Sequence, residues 1–170
     1  MKHNFHTFYK RVLLQPMSVR DSELYRQLRN QNHIRIWFEN SCIIEQDVQR
    51  IWYNKYLVTF GEYMFSIYDL LGQFIGGVSI YKYNEIEKKA EFGRFIIDKS
   101  KVLEKGIGLE ATIATLHIAK TQLLLNRLQL EVYENNYAAI STYKKAGFII
   151  NGKIKDKKGK DMYSMVRSLV

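Results

Sequence analysis

Between Lys101 and Gly108 the chain reads K-V-L-E-K-G-I-G and runs directly into an apolar-periodic segment. Glycines at 106 and 108 let backbone approach an anion with no Cβ in the way. A helix starting here would also aim its unpaired N–H groups and the positive end of its dipole at that anion. Lys101 and Lys105 bring cations to the same place, and Glu104 works against them. The same residues serve as a flexible entry into a helix, and the segment alone favours that plainer role. Other chemistry-bearing side chains are scattered. An imidazole can act as a base near neutral pH, which makes His33 a candidate, but its context, NQNHIRIWF, reads as a surface loop. His117 falls inside the helix after the glycines and has no assigned role. Cys42 has no His or Asp pattern around it and is expected to be an inert buried thiol. No metal-ligand spacing occurs, so no metal is expected.

The elements that must position these residues follow from the periods. RVLLQPM (Arg11–Met17) reads as a first strand. A helix follows it, capped by Ser18 or Asp21 and carrying Leu24 and Leu28. A second helical region, about 45–59, places Val48, Ile51, Trp52 and Tyr56 at helical spacing. The period then changes. YMFSIYD and QFIGGVSIYKY flank the turn LLG as a hairpin, and KAEFGRFIID alternates with Gly93 in mid-strand, a position that marks a bulge or a close backbone approach. The helix after the glycines carries Leu109, Ile113, Leu116, Ala119 and Leu123. RLQLEVYE (Arg127–Glu134) is a strand, and Asn135 or Asn136 caps a short helix that stops at Gly147. Two strands around the turn KDKKGK close the chain. The order predicts a mixed sheet flanked by helices, α/β or α+β. It excludes a doubly wound dinucleotide fold, which needs G-x-G-x-x-G near the start and repeated βαβ units.

Asn136, Ala139, Ile140, Tyr143, Gly147 and Phe148 form N-x-x-A-I-x-x-Y-x-x-x-G-F, about thirty residues after the strand–loop–G-x-G–helix unit. In that order the two motifs resemble the GNAT superfamily of acetyl-CoA-dependent N-acyltransferases. LRN (Leu28–Asn30), Trp37, Trp52, the IGG after the hairpin, AEFGRFII and Met165 extend the resemblance over nearly the entire chain. They look like the branch that holds ribosomal-protein N-terminal and amino-sugar-nucleotide acetyltransferases. The resemblance implies a single domain spanning 1–170. Its central sheet would be seven-stranded, mixed and mostly antiparallel, in the order β-α-α-β-β-β-α-β-α-β-β.

It also implies a site. The pantetheine arm of acetyl-CoA would pair with the strand at Phe95, Ile96 and Ile97, and a bulge at Gly93 would splay that strand from its neighbour. The pyrophosphate would sit on the loop Leu103, Glu104, Lys105, Gly106, Ile107 and Gly108. Here the chain departs from the family's Arg or Gln at the first loop position, where it has Leu103, and reduced cofactor affinity is expected. Tyr143 matches the tyrosine that protonates the leaving thiolate; a phenol of pKa about 10 is protonated at neutral pH. Asn136 would reach the amide arm, cap its helix, or both. Glu91 lies where some relatives place a carboxylate facing the acceptor and is the candidate base, with Asp98 a weaker choice.

Composition bounds the partners. Hydrophobic residues make up 46% of 170, a globular content. No apolar run approaches the roughly 20 residues of a membrane span. One cysteine precludes an internal disulfide and fits a reducing, cytoplasmic setting. The net charge of +9 is spread without a basic helix face. It therefore suits a phosphorylated cofactor or substrate better than nucleic acid. The expected acceptor is a small, anionic primary amine, particularly an amino-sugar nucleotide, with a protein N-terminus as the nearest alternative. A CoA-binding sensor without catalysis is the alternative of another class. A monomer or homodimer is expected.

Overall fold

A computed structural model describes residues 2–102 and 104–170; Leu103 of the expected cradle lies outside the described residues. Strands β1 (Thr7–Tyr9) and β2 (Val12–Pro16) form a hairpin, with Lys10 at φ 51° in the turn. Helices α1 (Val19–Arg29), α2 (Asn32–Arg35) and α3 (Gln46–Val58) follow. A meander comes next: β3 (Tyr63–Tyr68), β4 (Phe74–Asn84) and β5 (Lys89–Ile97). The chain ends with α4 (Ile107–Thr121), β6 (Arg127–Tyr133), α5 (Tyr137–Lys145), β7 (Ile149–Lys155) and β8 (Asp161–Ser168). This is the expected order with two additions. The sheet has eight strands where seven were expected, because the three residues of β1 are too few to show a period. The four-residue α2 escapes for the same reason.

The sheet order is β1-β2-β3-β4-β5-β6-β8-β7, and only the β5–β6 pair is parallel. One face buries Val12, Phe65, Val78, Ile80, Phe92, Leu128 and Leu130 against α4 and α5. The other buries Met17, Tyr25, Met64, Phe74 and Ile96 beneath α1 and α3. Among the described residues no helix is long and apolar enough to cross a membrane.

Both proposed caps of α1 are used: the Ser18 hydroxyl accepts from the Asp21 amide, and Asp21 accepts from the Ser18 amide in return. The buried Asp21 carboxylate also accepts from Ser66 Oγ at 2.9 Å and the Tyr68 hydroxyl at 2.7 Å, so the cap fastens α1 to β3. Helix α3 follows its apolar pattern only in part: Tyr56 is buried and Trp52 packs against the core beneath it, as their spacing implied. Gln49, Tyr53 and Tyr56 face inward, whereas Val48 and Ile51 are exposed. The tyrosine hydroxyls carry this choice, since Tyr53 donates to the Met17 carbonyl at 2.9 Å and Tyr56 accepts from the Met64 amide at 3.1 Å. Cys42, expected to be buried, is exposed in the loop before α3.

The N-terminal segment lays His3 among Phe5, Tyr63 and Phe65. Burial is the main cause that depresses the imidazole, from 6.5 to about 4. Between those values the unfolded chain binds the proton and the folded chain does not, so stability falls as pH is lowered through that window. Urea unfolding of wild type and His3→Phe should therefore diverge from neutrality down to about pH 4, with the variant the less acid-sensitive. Parallel pH profiles would remove His3 from the account.

The decisive irregularity lies in β5. Gly77 pairs with Ile96 and Ser79 with Gly93, so Arg94 and Phe95 together oppose Val78. The bulge thus falls on Arg94, which takes φ 50°, and not on Gly93. Gly93 is glycine for another reason: a Cβ there would stand 2.9 Å from the Tyr81 hydroxyl, whose ring covers it. The left-handed conformation of a non-glycine residue costs about 1–3 kcal/mol. Two interactions oppose that cost. Tyr25 of α1 donates to the Arg94 carbonyl at 2.7 Å, and the guanidinium stacks 4.7 Å from the Tyr81 ring centre.

Candidate active site

Beside the bulge the sheet opens. β5 pairs with β6 only at Lys89–Arg127, Ala90–Leu128 and Glu91–Gln129, after which the strands part. β6 stays paired to β8 up to Tyr133–Met162. Among the described residues the β5 edge from Phe92 to Ile97 therefore has no strand partner on this side, leaving a slot whose apex is Glu91. An extended ligand carrying amide groups can pair with such an edge as a strand would.

The expected site residues divide between the two faces of this slot. Glu91 lies on the α1/α3 face, 9% exposed. Its carboxylate accepts from Lys82 Nζ at 2.8 Å and Gln129 Nε2 at 3.4 Å. Tyr81 stands next to it; burial, then the Glu91 charge, push that phenol well above its ordinary value. On the opposite face Tyr143 of α5 packs against Phe92, the residue after Glu91, with ring centres 5.6 Å apart, and against Phe148 at 6.0 Å. Tyr143 is 8% exposed, and burial above all pushes its phenol up, with Tyr81 adding to the effect. Its hydroxyl makes no hydrogen bond within the described residues. A candidate base and a candidate acid thus flank the slot at one level, from opposite sides.

The wide end of the slot leads to the loop before α4. Gly106 is the helix N-cap at φ 98° and provides no side-chain acceptor, so first-turn amides are left open. At Gly108 a Cβ would meet nothing nearer than the Phe95 ring at 3.9 Å. Phe95 and Ile97 lean on the α4/α5 core, while Ile96 is buried on the other face. Asn136 caps α5, accepting from the Ala139 amide at 3.2 Å through Oδ1, and its amide nitrogen makes no hydrogen bond among the described residues. Glu104, Lys105 and Ile107 complete the described part of the cradle, and the Glu104 side chain turns to Arg11. An unpaired strand edge ending in an uncapped helix N-terminus suits a ligand that joins an amide arm to a diphosphate, as acetyl-CoA does.

Two other candidates, and His117, which had no assigned role, are not brought to the slot by their contacts. His33 is exposed on α2, and His117 is exposed on α4. Asp98 holds its own turn, accepting from Ser100 Oγ at 2.6 Å and lying 3.7 Å from Lys101. Sequence reasoning missed Tyr25, Tyr81 and Arg94 on the α1/α3 face, and Arg11 behind the loop. Tyr25, Tyr81 and Arg11 come from separate elements that only the topology assembles. Arg94 could have been suspected, since it follows the mid-strand glycine directly.

A crystal structure of spermidine N-acetyltransferase from Vibrio cholerae in complex with CoA and spermine has this fold. The TM-score is 0.85 and the identity 24%, over 94% of this chain and 96% of that one. A GNAT-family acetyltransferase from Bacillus anthracis superposes with a TM-score of 0.81 at 18% identity, over 97% and 99% of the two chains. Among characterised relatives, spermidine N(1)-acetyltransferase of Escherichia coli K12 is 28% identical over 144 residues, 84% of this chain and 75% of the relative. The family model for the acetyltransferase (GNAT) domain matches residues 11–149. The chain therefore belongs to the GNAT acetyltransferase family and is an N-acetyltransferase with acetyl-CoA as its acetyl donor.

Proposed function

We propose that this chain transfers the acetyl group directly to the primary amine of a small molecule held on the α1/α3 face of the slot. The observation that carries the reading is the placement of Glu91 and Tyr143 on opposite faces at the apex of the splayed β5–β6 pair. Acyl transfer to an amine requires a neutral nitrogen, a donor for the developing oxyanion and a proton for the departing sulfur. Glu91 takes the ammonium proton, directly or through water. An N–H of the Phe95–Ile97 edge faces the oxyanion. Tyr143 supplies the proton to the thiolate. The amides from Glu104 to Gly108 hold the diphosphate, and Asn136 reaches the amide arm with its Nδ2 while capping α5. The exposed free thiol of Cys42 fits a reducing cytoplasm.

For the acceptor, a linear polyamine takes precedence over the amino-sugar nucleotide suggested by the overall charge. Three relatives are spermidine acetyltransferases. The face itself presents carboxylates, Glu91 and, near Tyr81, Glu131, together with the Tyr81 and Trp52 rings, a lining that suits alkylammonium groups. One observation keeps the anionic amine as a second reading. Arg29 is 4% exposed and stacks 3.7 Å from the Phe38 ring centre; among the described residues it has no carboxylate partner, and its Nη1 makes no hydrogen bond. Burial above all lowers its pKa, and the nearby Arg35 charge acts in the same direction. Free-thiol release from acetyl-CoA, followed with spermidine, spermine, amino-sugar nucleotides and N-terminal peptides, tests the assignment. Spermidine and spermine are expected to be turned over fastest. Preference for the nucleotide sugars would overturn the polyamine reading, and donor binding without thiol release for any amine would favour a sensor.

A further inference from the structure

The cradle loop has an electrostatic defect. Position 103 carries a leucine, and the next residue is a carboxylate, Glu104, followed within the first turn of α4 by Glu110. Lys101 is already engaged, donating to the Phe74 carbonyl at 3.1 Å and lying near Asp98. Lys105 alone would leave the loop with a negative balance where a diphosphate must sit. The counter-charge comes from the β1–β2 hairpin. Arg11 Nε donates to both Glu110 oxygens at 3.1 Å, Nη1 pairs with Glu104, and Nη2 donates to the Lys105 carbonyl at 3.2 Å. The Arg11 amide donates to Glu110 as well, at 3.2 Å. Nη2 stands 3.4 Å from where a Cβ of Gly106 would be, against the helix N-terminus itself. Burial alone would raise the Glu110 carboxyl, but the Arg11 hydrogen bonds more than reverse it.

We infer that Arg11 is a positioning residue for the donor's diphosphate. It turns the Glu104 carboxylate away from the cradle, cancels its charge, and holds the Glu104–Gly106 backbone in the form that leaves the first-turn amides open. The inference rests on the acetyl-CoA assignment. It gives Arg11 the work that a cationic or polar side chain at position 103 would otherwise do, from the rear of the loop instead of its front.

The test is a double-variant cycle read by calorimetric binding of CoA and of pantetheine, which lacks the diphosphate. Arg11→Gln should weaken CoA about five- to tenfold, the size of one uncompensated charge within several ångströms in a half-solvated site, and leave pantetheine unchanged. The loss should shrink in high salt. Adding Glu104→Gln to Arg11→Gln should restore most of the affinity, because the carboxylate that needed cancelling is gone. Arg11→Lys keeps one charge without the fork and should stay near wild type. The inference is overturned if the double variant binds CoA as weakly as Arg11→Gln, if pantetheine loses as much as CoA, or if Arg11→Lys is as poor as Arg11→Gln. An unaltered protein that binds neither ligand would overturn both the inference and the donor assignment.

Discussion

Replacing Tyr143 with phenylalanine is expected to lower kcat about a hundredfold or more, the usual scale for removing a positioned general acid, with KM for acetyl-CoA little changed. The hydroxyl is the only group removed. The ring contacts with Phe92 and Phe148 remain, so the packing of α5 on the sheet should persist. No hydrogen bond within the described residues is lost either, which makes the substitution cheap for folding and expensive only for chemistry. The pH dependence separates this role from a role as base. Burial raises the phenol pKa, so the proton stays on oxygen well into the alkaline range. The ratio of wild-type to variant turnover should therefore be flat from acid to mildly alkaline pH. Steady-state thiol release across that range is the measurement. Unchanged kcat would remove Tyr143 from the mechanism, and a ratio that climbs with pH would recast it as a base.

The largest effect on stability is expected from Gly76→Ala. Gly76 pairs with Ile97 just beyond the bulge, and a Cβ there would lie 2.1 Å from the Ile96 carbonyl oxygen. That atom belongs to backbone and cannot rotate away, so the β4–β5 pair must separate locally. The cost should reach about 3 kcal/mol, at the upper end for overpacking a tight site. For a chain of this length that lowers Tm by about 6–12 °C. Gly152→Ala is the matched control. Nothing lies within 4 Å of its added Cβ, and its φ is not positive. A change within roughly 0.5 kcal/mol is expected there. Equal effects at the two sites, measured by denaturant unfolding, would contradict the steric account. Donor binding should also suffer in Gly76→Ala, since the displaced strand is the one whose far edge lines the slot.

Much of this architecture was legible because it is written in local patterns. Asn136 caps α5 and Gly147, at φ 87°, stops it, as the spacing implied, and the hairpin turns fall where the periods break. What could not be read depends on partners distant in sequence. Gly93 invited a bulge assignment because glycine tolerates unusual backbone, but here it makes room for Tyr81, and the unusual backbone falls on Arg94. Of the stripe Val48, Ile51, Trp52 and Tyr56 on α3, Tyr56 is buried as its spacing implied, whereas Val48 and Ile51 are exposed and Tyr53, donating to the Met17 carbonyl, turns inward instead. Glu104 read as a flaw in an anion cradle, because its compensating charge lies 93 residues away. Glu91 could be chosen from the motif, but its place at the apex of the slot emerges only from the pairing of β5 with β6.

The slot also leaves the sheet with a mechanical joint. Strands β1 to β5 are each beside their neighbour in sequence, and β6 to β8 form a second set bridged by α5. Among the described residues only three ladder pairs join β5 to β6, with the amides of Asn126 and Arg127 on the Lys88 carbonyl and Gln129 on Glu91 beside them. Each set can assemble through short-range pairings, while their union waits on the α4 crossover and its larger closure entropy. The joint should accordingly form late and open early, placing the amides beyond Glu91 among the least protected in the sheet. A strand-like arm laid along the free edge of β5 would do more than present a thioester: it would stitch two separately folding halves into one cooperative body.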